Sequence, residues 1–404
     1  MKKIEGGVCA PVGFRANGVH CGIRKNKTKR DLSLIVSDVR AAAACVYTQN
    51  LVKGAPIRVT KRHVADGYAQ AIVCNSGNAN TCNADGEEIA EGMCALVEGQ
   101  TGIPAADVVV ASTGVIGQPL SLEPIRAGMP SLAEGLSEDG SLFAAQGIMT
   151  TDTVDKQIAY SFILGGKECR IGAIGKGVGM INPNMATMLI FITTDASISP
   201  EMLQKALSAD VKDSFNMVSV DGDTSTNDMV CVLANGMAEN ETVTAPGKDF
   251  TVFRKALNKV TTALCRSIAK DGEGATKLLE CKVTGAKSRQ AARTVAKSVI
   301  KSSLFKAAMF GADANWGRVL CAIGYAGAEV DIGRVSVDFR SRAGTVAVCR
   351  EGSGIPFSEE EAKKVLSEDE IEVLIRLGDG NGKATAWGCD LTYDYVKING
   401  DYRT

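Results

Sequence analysis

The residues best suited to chemistry lie in a glycine-rich segment that runs into an apolar stretch, Gly175 to Asp195. Thr187 stands at the junction, directly after the small residue Ala186. Its hydroxyl is placed to attack the preceding peptide bond, and cleavage there would make Thr187 a new N-terminus. An N-terminal threonine needs no histidine, because its α-amino group, with a pKa of about 8, can take the proton from its own hydroxyl. We therefore predict self-cleavage between Ala186 and Thr187, followed by acyl transfer.

Other catalytic or ligand-binding patterns are weak in this chain. Its two histidines, His20 and His63, lie among basic residues, and we expect both on the solvated surface. A Ser-His-Asp triad also lacks the Gly-x-Ser-x-Gly turn that usually carries its serine. The glycines around Lys176 do not make a Walker loop, because no Ser or Thr follows the lysine. The segment 221–228 lacks the glycine and glutamate of a calcium loop, so we predict a hydrogen-bonded turn or a pocket wall, and no metal site.

Three further segments permit both a chemical and a structural interpretation. Thr113 and Gly114 follow a predicted strand and offer a hydroxyl and a backbone N–H to an acyl oxyanion, although most such runs are turns or caps. The pattern Asp271-Gly272-Glu273-Gly274 predicts an ordinary helix end with an exposed acid. The last residues, 398–404, are typical of a frayed terminus. On the residues alone, the structural interpretation is favoured for all three segments.

Composition indicates a globular protein that acts on small molecules. The 404 residues are enough for a large core, and a net charge of −1 gives no electrostatic reason to expect nucleic acid or a membrane surface as partner. Thirteen scattered cysteines without a Cys-x-x-Cys pair predict reduced thiols in the core. Because neither a signal sequence nor an apolar run of about 18 residues is present, we expect a cytoplasmic protein.

Hydrophobic periodicity predicts an α+β layered fold. The predicted helices cover 87–97, a segment starting at Ser199-Pro200, 250–268, 287–306 and a short segment capped by Ser358. The predicted strands cover 70–74, 108–111, 158–164, 169–174, a most buried strand at 188–192, 371–377 and, after a turn at 379–382, strands through Trp387 and Tyr393 to Ile398. A change in composition suggests a domain boundary near Lys282.

The segment 175–189, Gly-Lys-Gly-Val-Gly-Met-Ile-Asn-Pro-Asn-Met-Ala-Thr-Met-Leu, resembles the ornithine acetyltransferase family, also called bifunctional arginine biosynthesis proteins or glutamate N-acetyltransferases. Supporting segments follow in order at 75–80, 112–117, 149–153, 271–277 and 313–318. The resemblance implies an αββα sandwich like that of self-processing aminopeptidases, similar in layering to N-terminal-nucleophile hydrolases. It also implies a smaller C-terminal α/β lobe whose tail returns to the active site. With the boundary suggested by composition, the main domain covers 1–282 and this lobe covers 283–404. After cleavage, an α chain of 1–186 and a β chain of 187–404 would associate as two copies of each.

The same resemblance assigns roles to individual residues. Thr187 is the nucleophile that becomes acetylated, and Thr113 with Gly114 forms the oxyanion hole. Further residues would line the substrate site: Thr153, Lys176, Glu273, Asn399 and Thr404. The expected reaction moves an acetyl group from N2-acetyl-L-ornithine to L-glutamate, releasing L-ornithine and N-acetyl-L-glutamate, in arginine biosynthesis. Neither a metal nor a cofactor is expected, and the resemblance leaves open whether acetyl-CoA also donates.

Two alternative functions fit the same residues. A self-processing amidase or aminopeptidase would use the same Thr187 but hand the acyl group to water. A non-enzymatic amino-acid sensor would keep Thr187 as a buried strand residue in an uncut chain.

Overall fold

The computed structural model describes residues 1–182 and 188–401, so the predicted cleavage site at Ala186 and Thr187, and Thr404, lie outside the described residues. The strands are β1 (Lys2–Ile4), β2 (Phe14–Val19), β3 (Leu32–Tyr47), β4 (Tyr68–Asn78), β5 (Val108–Val115), β6 (Lys156–Leu164), β7 (Lys167–Lys176), β8 (Leu189–Thr194), β9 (Val218–Ser219), β10 (Met229–Ala234), β11 (Leu278–Ala286), β12 (Ser336–Ser341), β13 (Gly344–Arg350), β14 (Ser353–Gly354), β15 (Glu370–Arg376) and β16 (Gly382–Cys389). The helices are α1 (Ala55–His63), α2 (Gly86–Thr101), α3 (Glu123–Glu134), α4 (Ser141–Ile148), α5 (Pro200–Asp210), α6 (Lys248–Lys270), α7 (Arg289–Lys301), α8 (Ser303–Phe310), α9 (Trp316–Gly324), α10 (Glu359–Leu366) and α11 (Tyr393–Gly400).

The strand β3 joins the two halves of the larger sheet. Within the described residues this sheet has nine strands in the order β1-β6-β7-β8-β10-β3-β4-β5, with β2 also paired to β3. The C-terminal part of β3 pairs with β10, and its N-terminal part pairs with β2 and β4. Between these parts residues 38–40 are exposed, and the register with β4 shifts between Val36 and Ala41. The long strand is thus shared by both halves of the sheet.

Alternating side chains show that the two halves pack face to face between helical layers. Ile72 of β4 and Phe191 of β8 belong to one buried cluster that lies between the halves. Val73, next to Ile72, belongs instead to the cluster that contains α2 and α3. Ile192 belongs to a third cluster, with residues of α5 and α6. The layers therefore follow the order helix, sheet, sheet, helix, which confirms the predicted αββα sandwich. The predicted strand at 188–192 is confirmed as β8, whose residues are all buried.

A second sheet contains most of the C-terminal strands. In the described chain its order is β14-β13-β12-β15-β11-β16-β9, and its core is continuous with the cluster of α5 and α6. Lys282, where the sequence placed a domain boundary, lies in the middle of β11 and pairs with Leu374 and Thr385. The change in composition at this point therefore does not coincide with a break between elements, and the division after residue 282 stays a prediction.

The segment after Trp387 differs from the prediction. Residues 393–398 were expected in a strand but form most of α11. The Thr392 side chain accepts a hydrogen bond from the backbone of Tyr395, which caps the helix start. The aromatic residues suggested a strand, but this cap decides the local conformation. The predicted turn at 379–382 connects β15 to β16, which each pair with β11 between them.

The predictions for cysteine and histidine are confirmed in part. Most cysteines are buried and none of the thirteen, all in the described chain, is in a disulfide, although Cys82 and Cys321 are exposed. His63 was wrongly placed on the solvated surface, because its side chain is only 10% exposed. Its ring nitrogens lie 2.8 Å from the Val108 carbonyl oxygen and 3.2 Å from Glu91 Oε2. His20 is partly exposed, as expected for a residue near the surface. None of the described helices has the length and apolar character needed to cross a bilayer.

Candidate active site

A cavity of about 320 Å³ lies where the end of β5 meets the end of β7, between the two halves of the sandwich. We call it the site cavity. Five residues proposed from the sequence line it: Thr113, Gly114, Lys176, Glu273 and Asn399. Met188 and Leu189, which directly follow Thr187 in the chain, line it as well. The fold thus brings these five residues next to the segment that directly follows the predicted cleavage point.

The turn at Thr113 and Gly114 is tightly constrained. Gly114 has φ +136°, and a Cβ there would lie 2.3 Å from the carbonyl carbon of Gly77, so only glycine fits. Asn227 supports the turn from the other side, because its Nδ2 donates a 2.9 Å hydrogen bond to the Ser112 carbonyl. The Thr113 hydroxyl accepts a 3.1 Å hydrogen bond from Lys176 Nζ. The Thr113 hydroxyl and the Gly114 backbone therefore both line the site cavity, in a turn that neighbouring residues constrain.

Lys176 ends β7 and is half-buried at the site cavity. Burial lowers the pKa of its ammonium, against the opposing effect of the carboxylates of Asp152 and Asp228. Over residues 1–182 and 188–401, no carboxylate lies within ion-pair distance of its Nζ. An anionic group of a ligand in the cavity would meet a charge that the described protein does not pair.

Glu273 was expected from its pattern alone to be exposed, and this expectation is wrong. It is 8% exposed. Its backbone N–H donates a 3.0 Å hydrogen bond to the Val178 carbonyl, which turns the residue after α6 inward. The carboxylate accepts 2.8 Å hydrogen bonds from the Thr151 hydroxyl and from Asn399 Nδ2. Gly179 makes room for it, because a Cβ at this position would lie 2.4 Å from Glu273 Oε2.

A closed ionic network lies beside the site cavity. Lys156 is 2% exposed, and its Nζ lies 2.8 Å from Asp152 Oδ1 and 2.5 Å from Asp271 Oδ2. Burial acts to raise the pKa of Asp152, but the charges of Lys156 and Lys176 outweigh it and hold that pKa below its usual value. Asp152 also accepts a 3.0 Å hydrogen bond from the backbone of Gly177, so the network fixes the chain next to Lys176.

Thr153 is placed apart from the other candidates. Its backbone N–H donates to Asp271 at 3.2 Å, and it lines a neighbouring cleft. The nearby Thr150 and Thr151 line the site cavity instead. A substrate role for Thr153 stays a prediction.

The sequence did not single out every lining residue. Residues 225–228 form one side of the site cavity, in agreement with the pocket wall predicted for 221–228. Asn227 and Thr151 were not proposed individually, since their importance depends on partners far away in the chain. In the described parts of the chain, no group of three or more His, Cys, Asp or Glu residues is arranged to hold a metal ion.

Comparison with known proteins matches nearly the whole chain to a family model and to curated relatives, and about half of it to each of two solved structures. The ArgJ family model matches residues 15–404. The arginine biosynthesis bifunctional protein ArgJ 1 of Clostridium acetobutylicum is 50% identical, with 97% of this chain and 96% of that protein covered. A crystal structure of arginine biosynthesis bifunctional protein ArgJ from Bacillus halodurans is 50% identical with a TM-score of 0.50, covering 52% of this chain and 98% of that chain. The ornithine acetyltransferase of Mycobacterium tuberculosis complexed with ornithine is 34% identical, with a TM-score of 0.42 and coverage of 46% of this chain and 99% of that chain. The chain belongs to the ArgJ family.

Proposed function

We propose that this protein is an acyltransferase of arginine biosynthesis that moves the acetyl group of N2-acetyl-L-ornithine to L-glutamate through an acetyl ester on Thr187. One observation carries the proposal. A single cavity, lined by the residues that follow Thr187, presents an ammonium from Lys176, a carboxylate from Glu273 and the turn at Thr113 and Gly114.

The charges of the site cavity suit this donor. N2-acetyl-L-ornithine carries an α-carboxylate and a side-chain ammonium, which Lys176 and Glu273 complement. Hydrogen bonds from Thr151 and Asn399 orient the Glu273 carboxylate before a ligand arrives. L-Glutamate brings the same α-carboxylate, so Lys176 serves both amino acids in turn.

Thr113 and Gly114 are arranged to stabilise an oxyanion. Because Lys176 Nζ donates to the Thr113 oxygen, the Thr113 hydroxyl hydrogen is free to point away from the lysine and donate to a reacting group. The backbone N–H of Gly114 would be the second donor. Two fixed donors of this kind stabilise the negative charge that develops on an acetyl oxygen.

The acetyl group is transferred in two steps, first to Thr187 and then to L-glutamate. The Thr187 α-amine takes the hydroxyl proton, the Thr187 oxygen bonds to the acetyl carbon, and the amide C–N bond breaks as L-ornithine leaves with that proton. The amine of L-glutamate next attacks the acetyl ester, and the C–O bond to Thr187 breaks. The Thr187 α-amine takes a proton from the attacking amine and passes it to the threonine oxygen, so the hydroxyl is restored and N-acetyl-L-glutamate leaves.

The coverage of the Bacillus halodurans structure supports a two-chain mature protein. About half of this chain, 52%, accounts for 98% of that solved chain. The proposed β chain, residues 187–404, is likewise slightly more than half of the full length. We propose that two α and two β chains associate in the cytoplasm.

Replacement of Thr187 by Ala tests the nucleophile. The variant should remain one chain of 42.3 kDa by intact mass, whereas the wild type should give two chains. Acetyl transfer should fall by at least about a thousandfold, because the reaction loses its covalent step. Thr187→Ser, which keeps a hydroxyl, is the matched control and should still cleave. Two chains from Thr187→Ala, or full activity in an uncut wild-type protein, would contradict the proposal.

The products distinguish this reaction from its rivals. With N2-acetyl-L-ornithine and L-glutamate together, the proposed enzyme forms N-acetyl-L-glutamate. An amidase would release free acetate whether or not L-glutamate is present. A sensor would bind L-ornithine without turnover and would stay uncut.

A further inference from the structure

Asn227 lies where the two halves of the sandwich meet at the site cavity. It precedes β10, in the half that contains β8, and its side-chain amide reaches the other half. Its Nδ2 donates to the carbonyl of Ala79, which follows β4, at 2.5 Å and to the carbonyl of Ser112 in β5 at 2.9 Å. Because Ser112 directly precedes Thr113, one amide group links the second half to the proposed oxyanion turn.

Every hydrogen-bonding position of the Asn227 amide is used inside the protein. Its Oδ1 accepts a 2.6 Å hydrogen bond from the Thr81 hydroxyl and another of 2.6 Å from the Thr226 hydroxyl. An amide has two N–H donors and two acceptor positions, and all four are taken here. Since hydroxyls donate to its oxygen and carbonyls accept from its nitrogen, the amide has one orientation. Asn227 is 7% exposed, so it holds other residues in place and does not offer its amide to a ligand.

The backbone on both sides of Asn227 is also held. The Thr226 carbonyl accepts a 2.9 Å hydrogen bond from the Gly54 N–H, and the Asp228 carbonyl accepts one of 3.1 Å from the Thr48 N–H. A Cβ at Gly54 would lie 2.6 Å from Asn227 Nδ2, so the side chain is tightly packed as well. Neither the amide nor its backbone can shift without breaking these contacts.

The segment that carries Asn227 is joined to the strand that follows the predicted cleavage point. The Met229 N–H donates a 3.0 Å hydrogen bond to the Met188 carbonyl, and Met229 pairs with Leu189 in the parallel ladder of β8 and β10. Asn227, two residues before Met229, thus bonds to β5 on one side, while its own chain bonds to β8 on the other.

We propose that Asn227 is a positioning residue for acetyl transfer, which fixes the distance between the turn at Thr113 and Gly114 and the start of β8. The turn would supply the oxyanion donors, and Thr187 directly precedes Met188 in the chain. A displacement of about 1 Å between reacting groups costs about a hundredfold in rate. This inference rests on the proposed function, because it requires an acetyl group to react at Thr187 beside this turn.

Asn227→Ala tests this role, with Asn240→Ala as the matched control. Asn240 is 6% exposed, and its Nδ2 also donates to two carbonyls, those of Ser197 at 3.1 Å and Glu241 at 2.8 Å. It lies at the opposite end of β8 and β10 from the site cavity. Each substitution removes the donor of two carbonyls, so both variants should have a similarly lowered Tm. Only Asn227→Ala should lower the kcat for acetyl transfer, by at least about 30-fold, with the KM for N2-acetyl-L-ornithine within about threefold of the wild type.

Thr81→Val is a milder second variant, which decides the question if Asn227→Ala stays unfolded or uncut. Thr81 is not among the described residues that line the site cavity, and its hydroxyl orients the Asn227 oxygen. Loss of this hydroxyl should lower kcat about threefold to tenfold, again with little change in KM. Intact mass gives the cleaved fraction of each variant, and rates are compared per cleaved molecule.

A simple ester separates this inference from the proposed function. The probe p-nitrophenyl acetate carries no amino-acid charges for Lys176 or Glu273 to bind, so a burst of p-nitrophenolate measures acetylation beside the turn. The burst rate should fall in Asn227→Ala and not in Asn240→Ala. If the wild type gives the burst but transfers nothing to L-glutamate, the proposed function fails, and the burst rates of the variants still decide the role of Asn227.

Each remaining outcome overturns the inference. Equal kcat values for Asn227→Ala and the wild type do so and leave the proposed function standing. An equal loss of kcat in Asn240→Ala does the same, because general destabilisation would then explain both variants. A rise in KM without a loss of kcat would make Asn227 a binding residue. Absence of both the burst and the transfer in the wild type would refute the catalytic role of the turn, and the positioning role with it.

Discussion

Two pairs, each of a lysine and a carboxylate, lie next to each other in this protein. The charged groups of one pair form a salt bridge, and those of the other do not. Lys156 begins β6 and Lys176 ends β7, while Asp271 and Glu273 follow α6 two residues apart. In the first pair, Lys156 Nζ lies 2.5 Å from Asp271 Oδ2, and both side chains are buried. In the second, Lys176 and Glu273 line the same cavity, and the described structure contains no ion pair between them.

The difference indicates that the same residue types stabilise the fold in one place and stay available to a ligand in another. Removing charges from water costs several kcal/mol per ion, and only close pairing offsets this cost. The Lys156 pair is compensated within the protein. Lys176 and Glu273 have neutral hydrogen-bond partners, Thr113 and Thr151, in the described residues, so a ligand with groups of opposite sign would compensate their charges. The open pair therefore marks the proposed substrate site.

Removing the closed pair should have the largest effect on stability. Lys156→Met leaves Asp152 and Asp271 buried without their cation, so we expect the free energy of unfolding to fall by about 3–5 kcal/mol. Urea denaturation followed by circular dichroism measures the change. Lys205→Met, at an exposed helix position, is the control and should change stability by less than about 0.5 kcal/mol. Equal stability of Lys156→Met and the wild type would contradict the distinction between the pairs.

Removing the lysine of the open pair should act on activity rather than stability. In Lys176→Met the aliphatic stem is kept and the half-buried charge is removed, so the free energy of unfolding should stay within about 1 kcal/mol of the wild type. The kcat/KM for acetyl transfer should fall about 30-fold or more, equivalent to about 2 kcal/mol, because the α-carboxylate loses its partner. Intact mass checks that chain cleavage still occurs. A cleaved variant with wild-type kcat/KM would remove Lys176 from the substrate site.

Neutralising the acid of the open pair should have the smallest and most selective effect. Glu273→Gln keeps the size of the side chain and an oxygen that can accept from Thr151, but it loses the negative charge. The KM for N2-acetyl-L-ornithine should rise about fivefold to tenfold, corresponding to about 1 kcal/mol. The KM for L-glutamate, which has no side-chain ammonium, should stay equal or fall. An equal rise in both KM values would mean that Glu273 only supports the fold.

Local patterns predicted much of the fold. The Ser199 cap and Pro200 predicted the start of α5, and the Ser358 cap predicted the start of α10. These signals act within a few residues, so a single sequence contains them completely. The failure at His63 has the opposite origin, because its ring contacts the Val108 carbonyl oxygen, a partner that no local pattern reveals. At α11 the local Thr392 cap was overlooked in favour of the aromatic residues that suggested a strand.

The site was predicted mainly through the resemblance of short segments to a known family. Thr113, Gly114, Lys176, Glu273 and Asn399 were proposed in this way, and the structure brings all five to one cavity. The sequence did not identify Asn227, because this residue supports the site through two long-range hydrogen bonds, to the carbonyls of Ala79 and Ser112.

The sequence by itself determined which groups can react: the hydroxyl of Thr187 after a small residue, the glycine turn at Gly114 and the apolar strand that follows the predicted cleavage point. These properties depend on residue type and near neighbours. Only the tertiary structure decided that Lys156 is neutralised by Asp271 while Lys176 faces a cavity. The physical reason is packing: α6 packs against β6 and β7, which places Asp271 beside Lys156, while Lys176 at the end of β7 lines the site cavity with the end of β5.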